Sequence, residues 1–433
     1  MLSEVGFSNF RSFADATLKL GPVTLLIGAN ASGKSNAIEG LRLLSWLATG
    51  RRLVDIVHAI RSGEELVRGT VNDLPRRGER SLGFRWKVEG ADYPEAMLEI
   101  ALDEDELRIV QEKLTRSDRR IPLYEIEQRA FGPSHDIDVR YDNFKRVKQK
   151  PRVRCTDQQM IMLQLQSPAR FPEAHQQAAA TIVGTCAEHR AALERLRFLD
   201  PAPRLMRGYA FAKDKELLPD GRNLSGVIHH LCREQKREAE ILRFVESLPE
   251  QRIARIEFIV TQRDDVMIRL VETFGGREQR VDAAVLSDGT LRVLAIAAAL
   301  LSAPEGAIVV IEEIDNGVHP SRASSLLETI EAVVERRKLR VLLTTHNPAL
   351  MDALSDRALL DVVLCWRDPE TGASRLDRLG DLDQAPSLLA EGPLGRLVTR
   401  GIVERYLEER RRAEERAREA EKWVRELFEP AAE

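Results

Sequence analysis

One short segment combines the residue types that hold a phosphate group. Gly28–Ser35 reads Gly-Ala-Asn-Ala-Ser-Gly-Lys-Ser and matches the pattern GxxxxGK[ST] in full, with the apolar run Val23–Ile27 before it and a helical pattern after it. Glycines let backbone N–H groups turn inward around a phosphate, and the helix N-terminus adds a partial positive charge. A Gly-rich turn that matches by chance is the alternative. The predicted nucleotide-binding residues are Gly28, Asn30, Gly33, Lys34, Ser35 and Asn36.

Two side chains of this loop have predicted chemical roles. Lys34 is expected to reach the β- and γ-phosphates of ATP, where its charge would also serve catalysis. The hydroxyl of Ser35 is expected to ligate Mg²⁺. ATP and Mg²⁺ are therefore the predicted cofactors.

Two carboxylates stand where a buried strand is predicted to end. The run Ala307–Ile311 is continuously apolar, and Glu312 and Glu313 follow it at once. Ligand sites in open α/β sheets lie at the carboxyl ends of the strands. One carboxylate there can hold Mg²⁺, while the next can orient and deprotonate an attacking water. The alternative is a helix N-terminus whose acids complement the helix dipole.

A second anion site is indicated far along the chain from the first. Leu286–Thr290 reads Leu-Ser-Asp-Gly-Thr and opens an apolar helix, so that Ser287 and Gly289 can bind a phosphate. Since one nucleotide rarely needs two phosphate cradles, we expect the second to close over the ATP of another copy. His346 ends the next predicted strand, where it can touch the γ-phosphate. A lone histidine is more often structural, but its place in this order favours function.

The order of these motifs resembles the head of an ABC-type ATPase: a P-loop, a Leu-Ser-Asp-Gly-Thr signature, an apolar strand with two acids, and a strand with a histidine. Phe7–Phe13 and Glu312–Pro320 resemble the branch of RecF, SMC and OLD (overcoming lysogenization defect) proteins. Asp288, in place of the second glycine of the transporter signature, points to the same branch. The resemblance covers the segments 1–50 and 254–380.

The resemblance implies roles for three residues around the nucleotide. Arg11 would lie near the nucleotide, Glu312 would bind Mg²⁺, and Glu313 would be the catalytic base. Glu312 departs from the family pattern, because aspartate is usual there and the longer glutamate changes the reach to the metal.

The resemblance also implies an assembly. Ser287 and Gly289 would contact the γ-phosphate held by a partner copy, and His346 would be the switch histidine. The expected state is a homodimer, or a higher homo-oligomer, formed through the ATP site.

The remaining segments distinguish members of this branch. Residues 51–253 lack the sustained heptads of SMC proteins, so a long coiled-coil tether is not expected. The part after His346 is short, and no apolar strand precedes Asp381 and Asp383, so no TOPRIM nuclease domain is expected. What remains resembles the stand-alone ATPase subunits of bacterial antiphage defence systems of the PARIS and Septu kinds, whose nuclease-like effector is a separate protein. A RecF-like DNA repair ATPase and a regulator without nucleic-acid role are the competing interpretations.

The elements that must position these motifs predict an α/β fold. The expected architecture is an ABC-ATPase head whose mixed and parallel sheet is flanked by helices, with an antiparallel β subdomain, a helical insertion and a C-terminal charged helix. Four units are predicted: an N-terminal ATPase lobe (1–110), a mixed β and helical insertion (111–253), a C-terminal ATPase lobe (254–384) and a helical tail (385–433).

Three helices are predicted outside the motifs. One covers 172–197 and is ended by Phe198–Pro201, and a second covers 224–246. The third, over 396–428, is charged, and its thin, alanine-rich seam favours docking on the chain itself or on a partner over a coiled coil.

A local basic run bears on nucleic-acid binding. The run 146–154 carries a basic residue at every second position, so an extended strand would place all five on one face: Arg146, Lys148, Lys150, Arg152 and Arg154. Phosphate binding, and hence DNA as a partner, is one interpretation. The other is a solvated edge strand that Pro151 protects from pairing.

The composition excludes several classes. The 433 residues carry a formal net charge of −4, which argues against a protein that coats nucleic acid by global charge. The widely spaced cysteines are expected to be free thiols of a reducing compartment: Cys155, Cys186, Cys232 and Cys365. The N-terminus lacks a signal-peptide pattern, and no segment approaches the ~18 consecutive apolar residues of a membrane helix. We therefore expect a cytoplasmic protein with no membrane partner.

Overall fold

The computed structural model describes residues 1–62, 66–103, 106–128, 134–146, 149–246, 253–316, 320–412, 416 and 420. Residues 147–148 of the basic run, which include Lys148, and residues 317–319 of the segment Glu312–Pro320, which include His319, lie outside the described residues. The same holds for most of the predicted C-terminal helix beyond residue 412.

The N-terminal part of the chain is rich in strands. Its first elements are β1 (Leu2–Phe10), β2 (Phe13–Lys19), β3 (Val23–Ile27), α1 (Lys34–Ala48) and α2 (Asp55–Arg61). Its later strands are β4 (Ser81–Val88), β5 (Glu95–Asp103), β6 (Glu106–Thr115), β7 (Tyr124–Gln128), β8 (Asp136–Tyr141) and β9 (Arg152–Thr156). All five residues of β3 are apolar or β-branched and buried, as the sequence predicts for a strand inside a parallel sheet.

The middle of the chain carries short helices and a small group of strands. The helices are α3 (Ile161–Gln164), α4 (Gln176–Glu194), α5 (Pro203–Met206), α6 (Leu224–Arg233) and α7 (Glu238–Val245). The strands are β10 (Leu196–Leu199), β11 (Ala210–Phe211), β12 (Ile253–Val260), β13 (Asp265–Phe274) and β14 (Arg277–Asp282).

The C-terminal part alternates helices and strands. The helices are α8 (Asp288–Ser302), α9 (Ala323–Arg337), α10 (Pro348–Asp352), α11 (Asp356–Leu359), α12 (Ala385–Ala390) and α13 (Leu394–Thr399), and residues 402–412 are also helical. The strands are β15 (Ile308–Ile311), β16 (Arg340–Thr344), β17 (Val363–Arg367) and β18 (Ser374–Arg378).

In the described part of the chain, fourteen strands form one mixed sheet in the order β10-β15-β16-β3-β17-β18-β2-β1-β4-β5-β6-β7-β8-β9. In this spatial order, the five strands β10, β15, β16, β3 and β17 are parallel to one another. Neighbouring strands in the stretch β2-β1-β4-β5-β6-β7-β8-β9 run antiparallel. β11, β12 and β14 pair with β13 in a separate small sheet. The predicted α/β class, with a mixed sheet flanked by helices and an antiparallel region, is confirmed.

The large sheet separates two hydrophobic cores. Leu26 of β3 and Val310 of β15 join the core that contains α1 and α4. Leu25 and Val309, one position earlier on the same strands, join the core that contains α8 and α9. Successive side chains of a strand point to opposite faces. The helix that follows the P-loop and the helix that follows the signature therefore pack on opposite faces of the sheet.

Two predicted helices of the insertion are wrong in extent. The helix predicted over 172–197 is α4, which ends at Glu194, and the chain continues at once into β10, parallel to β15. The apolar residues of β10 are explained by its pairing in the sheet. Sequence periodicity alone does not distinguish such a short strand from the end of a helix. The helix predicted over 224–246 is divided into α6 and α7, with Lys236 between them at φ 55°.

The predicted basic strand over 146–154 is wrong in extent. β9 begins at Arg152, so Arg146 and Lys150 precede the strand. Arg152 pairs with Glu127, Arg154 with Asp138, and Lys150 with Asp142. Acids of the preceding strands and turns thus neutralise much of the run, and β9 stands at the edge of the sheet, as the edge-strand interpretation predicts.

Three further observations concern the expected boundaries, thiols and membrane segments. The predicted boundary at residue 110 falls inside β6, and the division into four units stays a prediction. All four cysteines are buried and free. None of the described helices combines the length and the apolar character that crossing a membrane requires.

Candidate nucleotide site

Three neighbouring parallel strands end at one edge of the sheet. β16 lies between β15 and β3, with Leu343 beside Ile311 and Thr344 beside Leu26. The acids follow β15, the histidine follows β16, and the phosphate-binding loop follows β3. These three segments of distant sequence therefore meet at the carboxyl edge of the strands, where ligands of α/β sheets bind.

The loop after β3 has backbone conformations that favour glycine. Gly28 has a φ of 153°, Gly33 of 121° and Ala31 of 62°. A Cβ atom on Gly28 would lie 1.9 Å from the carbonyl oxygen of Cys365, so a side chain does not fit there. α1 begins directly after Gly33 and has, along this fully described stretch, neither a capping side chain nor an acid in its first turn. Its free N–H groups and dipole therefore fit an anion such as a phosphate.

The predicted phosphate-binding lysine lies over this loop. The Lys34 side chain is buried, and its Nζ donates to the carbonyls of Gly28 at 2.7 Å and Ala29 at 3.0 Å. Burial lowers the pKa of Lys34, whereas Cys365 and Glu313 raise it. The ammonium group thus lies at the mouth of the loop, within electrostatic reach of the predicted base.

The predicted switch histidine belongs to the same group of charges. Burial, and next the charge of Lys34, lower the pKa of His346, while Asp315 and Glu313 oppose that shift. Neutral imidazole is therefore favoured at neutral pH. The structure brings Lys34, Glu313 and His346 together as the sequence indicates.

Hydrogen bonds fix the acidic turn against the end of β16. Glu313 has a φ of 49°, in the left-handed region that is unfavourable for residues other than glycine. Its N–H donates to Thr344 Oγ1 at 2.9 Å, and Asn316 Nδ2 donates to its carboxylate. Thr345 Oγ1 donates to Asp315 Oδ1 at 2.6 Å. The turn is therefore held in a strained shape that leaves the Glu313 side chain exposed at the sheet edge.

The other acid of the pair faces α1. Glu312 Oε1 lies 2.7 Å from Arg42 Nη2. Burial raises the pKa of Glu312; Arg42 lowers it, and the negative charges of Asp200 and Glu313 raise it further. A divalent cation would relieve this repulsion between carboxylates.

The residues at this edge offer a small set of donor groups for Mg²⁺. Among the described residues, no three or more His, Cys, Asp or Glu side chains cluster as a metal site. Mg²⁺ commonly takes one or two carboxylates and completes its shell with phosphate oxygens and water, so it does not need such a cluster. Glu312 and the exposed hydroxyl-bearing Ser35 in the first turn of α1 fit that smaller set.

Arg11 is bound to protein groups beside the loop. Its Nη2 lies 3.0 Å from Glu39 Oε2, and its guanidinium donates to the carbonyls of Arg68 and Asp73. Glu39 belongs to α1, so Arg11 lies next to the P-loop helix. Its role toward a nucleotide stays a prediction. Asn30, at the tip of the loop, is exposed.

The signature turn is built from its own contacts. Ser287 caps α8: its Oγ accepts from Thr290 N at 3.1 Å. Arg207 Nη2 donates to Asp288 Oδ1, and Arg207 Nη1 donates to the carbonyl of Leu286. Gly289 follows in the first turn, half-buried. Because α8 packs on the sheet face opposite to α1, this turn does not cover the P-loop from the α1 side.

Two serines that support the loop were missed from sequence. Asn36 Nδ2 donates to Ser12 Oγ at 2.7 Å, the hydroxyls of Ser12 and Ser374 lie 2.7 Å apart, and Ser374 Oγ donates to the carbonyl of Ser32 at 2.5 Å. Ser12 lies in the turn between β1 and β2, and Ser374 begins β18. No local pattern marks Ser374, since its partners are more than three hundred residues away.

The fold is that of a P-loop nucleotide-binding protein. A glycine-rich loop precedes a helix without a capping side chain, and a lysine, a carboxylate and a histidine lie at one edge of the sheet. A family model described as "AAA domain, putative AbiEii toxin, Type IV TA system" matches residues 23–352, and the chain belongs to this family.

Curated relatives match over short segments. The DNA replication and repair protein RecF of Paenarthrobacter aurescens is 38% identical over 81 residues, which are 18% of this chain and 20% of that protein. RecF of Gloeobacter violaceus is 44% identical over 69 residues, 16% of each chain. The chain thus spans a fifth or less of the length of these relatives.

Solved structures of similar shape include an Smc head bound to the C-terminal winged-helix domain of ScpA. That structure matches with a TM-score of 0.48 and 10% identity, over 87% of this chain and 97% of that one.

Proposed function

We propose that this protein binds and hydrolyses ATP as an ABC-type ATPase, in a dimer whose two copies share each nucleotide. The observation that carries this proposal is the convergence of Lys34, Glu313 and His346 at the edge formed by β3, β15 and β16. Membership of an AAA-domain family supports nucleotide binding.

Each residue of the site has a role in this proposal. The N–H groups of Gly28–Asn36 and the ammonium of Lys34 bind the phosphates. Glu313 accepts the proton of the attacking water, and His346, neutral at its lowered pKa, orients the terminal phosphate. Mg²⁺, when held by Ser35 and Glu312, neutralises charge on the phosphates.

The dimer is proposed from the position of α8. Ser287 and Gly289 lie on a helix that packs on the face opposite to α1, so they are better placed for the nucleotide of a second copy than for that of their own chain. Exposed apolar side chains near the signature turn, such as Val285 (72% exposed) and Tyr209 (48%), support a contact surface there.

The test is the variant Glu313→Gln. Loss of the base should lower turnover by about a hundredfold or more, while ATP binding persists and an ATP-bound dimer accumulates. ATP turnover and sedimentation with and without ATP measure both effects, and Glu305→Gln, an exposed acid far from the site, is the control. Turnover at the wild-type rate in Glu313→Gln would show that Glu313 is not the base.

For the biological role, we propose that the ATPase senses or regulates a separate, nuclease-like effector in bacterial antiphage defence, as in systems of the PARIS or Septu kind. The family description names a toxin of a type IV toxin–antitoxin system, and this supports a role in a bacterial system in which one of two proteins is toxic. Co-expression with the neighbouring gene product, followed by sizing and a toxicity assay, tests this. If the two proteins neither associate nor affect growth, this role is wrong while the ATPase assignment stands.

A RecF-like ATPase that acts on DNA is the second candidate, and a basic groove favours it. A cavity of about 430 Å³ between β6, β7 and β8 is lined by four basic and two acidic side chains. Lys113 and Arg120 are two of the four basic ones. Neither of these two forms an ion pair within the described residues. In sequence, the segments 113–120 and 140–154 carry eleven basic residues and two acidic ones, and Glu125, Glu127 and Asp138 of neighbouring strands pair with only three of the basic ones that the structure describes.

DNA binding through this groove has a direct test. The double variant Lys113→Ala, Arg120→Ala should weaken binding to duplex DNA regardless of its sequence. The slope of log K against the logarithm of the salt concentration should become less steep by about two. Fluorescence anisotropy over a range of salt measures this. Arg222→Ala with Arg263→Ala, two exposed arginines elsewhere, is the control. Equal DNA binding by both double variants would exclude this groove.

A further inference from the structure

The hairpin β17–β18 borders the phosphate-binding loop at both ends. At the start of the loop, the carbonyl of Cys365 leaves no space for a side chain on Gly28. At its end, a Cβ atom on Gly33 would lie 2.5 Å from Ser374 Oγ. The shape of the loop therefore depends on a hairpin that comes from the far end of the chain.

The polar contacts between hairpin and loop form one directed series. Asn36 Nδ2 can only donate to Ser12 Oγ, and the Ser32 carbonyl can only accept from Ser374. Because a hydroxyl has a single hydrogen, the Ser12 hydroxyl must donate to Ser374 across the 2.7 Å between them. Each of the two serine hydroxyls therefore donates once and accepts once.

Burial makes this series costly to break. Ser374 is 1% exposed and Ser32 is 3% exposed, so water is poorly placed to replace the Ser374 hydroxyl. A buried carbonyl that loses its donor is unfavourable by more than the net worth of an ordinary hydrogen bond. Within the loop itself, Ser32 N to Ala29 O, at 3.2 Å, is a long bond. The external contact therefore fixes the second half of the loop.

The hairpin is itself held rigidly, which makes it a suitable support. Asp368, fully buried in the turn after β17, accepts from Arg375 at 2.8 Å and from the N–H of Glu370 at 3.0 Å. Arg411, 2% exposed in the C-terminal helix, lies 2.8 Å from Glu370 Oε1. The last described helix thus secures the turn of the hairpin that supports the P-loop.

We propose that Ser374 and Ser12 are positioning residues that hold the P-loop in its phosphate-binding shape before nucleotide arrives. The proposal rests on the proposed nucleotide site, in which neither serine is assigned a contact with the phosphates. Since the loop is fixed in the free protein, losing the series should weaken the binding of ATP and leave the chemical step nearly unchanged.

The experiment compares Ser374→Ala, Ser12→Ala and the double variant with wild type. Calorimetry with a non-hydrolysable ATP analogue gives the Kd, turnover gives kcat, and hydrogen exchange of the nucleotide-free protein reports on peptides covering 28–37. Ser225→Ala is the matched control, because Ser225 is also 1% exposed and bonds backbone groups, at Gly208 and Ile268.

Ser374→Ala should raise the Kd about tenfold and speed exchange in 28–37, with kcat changed less than twofold. The double variant should be no worse than the stronger single variant, because the two hydroxyls act as one series. Ser225→Ala should leave all three readouts unchanged. Ser12→Ala, in a less buried turn, keeps the comparison available if Ser374→Ala folds poorly.

A wild-type Kd and unchanged exchange in both single variants would overturn the proposal, and so would an equal effect of Ser225→Ala. If the wild-type protein itself binds no nucleotide, the proposed function is wrong, and the exchange of 28–37 still decides whether the serines hold the loop.

Discussion

The N-termini of α1 and α8 both combine a serine with a glycine, yet they are built differently. α1 starts after Gly33 with no side-chain cap and no acid in its first turn, and with Lys34 folded over the loop. α8 starts after Ser287, which caps it, and its first turn carries Asp288, which Arg207 pairs. In the described residues, only the first of these two ends leaves its N–H groups without a capping side chain.

This difference separates a site that is ready to bind a phosphate from a site that is satisfied by its own chain. An uncapped helix end with a lysine attracts an anion strongly, whereas a cap and an acid reduce the need for one. We therefore expect the α1 end to bind ATP in an isolated subunit. We expect the α8 end to act only when a second copy presents an already bound phosphate.

The largest effect should come from removing the charge at the α1 end. Lys34→Ala should weaken ATP binding by about a hundredfold, because a charged, buried hydrogen-bond donor to the phosphates is lost. Calorimetry with the non-hydrolysable analogue measures this, with Lys338→Ala, an exposed lysine at the end of α9, as control. If Lys34→Ala binds as tightly as wild type, the α1 end is not the phosphate site.

A smaller effect, confined to the dimer, should follow from blocking the α8 end. Ser287→Arg places a long side chain at the helix cap, so hydrolysis should fall at least about tenfold while the Kd of the subunit for the ATP analogue stays within about twofold. Ser355→Arg alters a similar cap, on α11, where Ser355 Oγ accepts from Ala358 N at 3.2 Å. Undiminished hydrolysis by Ser287→Arg would contradict a shared site.

The smallest effect should come from the residue that supports the signature turn. Arg207→Ala removes a guanidinium, 31% exposed, that donates to the carbonyl of Leu286 and to Asp288. Hydrolysis should therefore fall only about two- to fivefold, with no change in the binding of the ATP analogue. Arg222→Ala, which breaks an exposed pair with Asp220, is the control. A change in nucleotide affinity in Arg207→Ala would show that the two helix ends are not independent.

Sequence patterns succeeded where the contacts are local. β3, the loop and α1 lie within one short stretch, and the antiparallel β region expected from the sequence contains β4 and β5. They failed where an apolar run could suit two structures, since the helix predicted over 172–197 includes the first two residues of β10. They also failed at the basic run, because its charge partners, Glu127 and Asp138, belong to other strands.

The sequence by itself determined which residue types stand in the loop, the acid pair and the signature turn, because each is a contiguous segment; the chemistry proposed for them follows from those types. Tertiary structure alone decided which strands are neighbours, and hence that Lys34, Glu313 and His346 share one edge. It also placed α1 and α8 on opposite faces and put Ser374 beneath the P-loop. The physical reason is that strand order and side-chain contacts between distant segments depend on how the whole sheet packs, which no local pattern records.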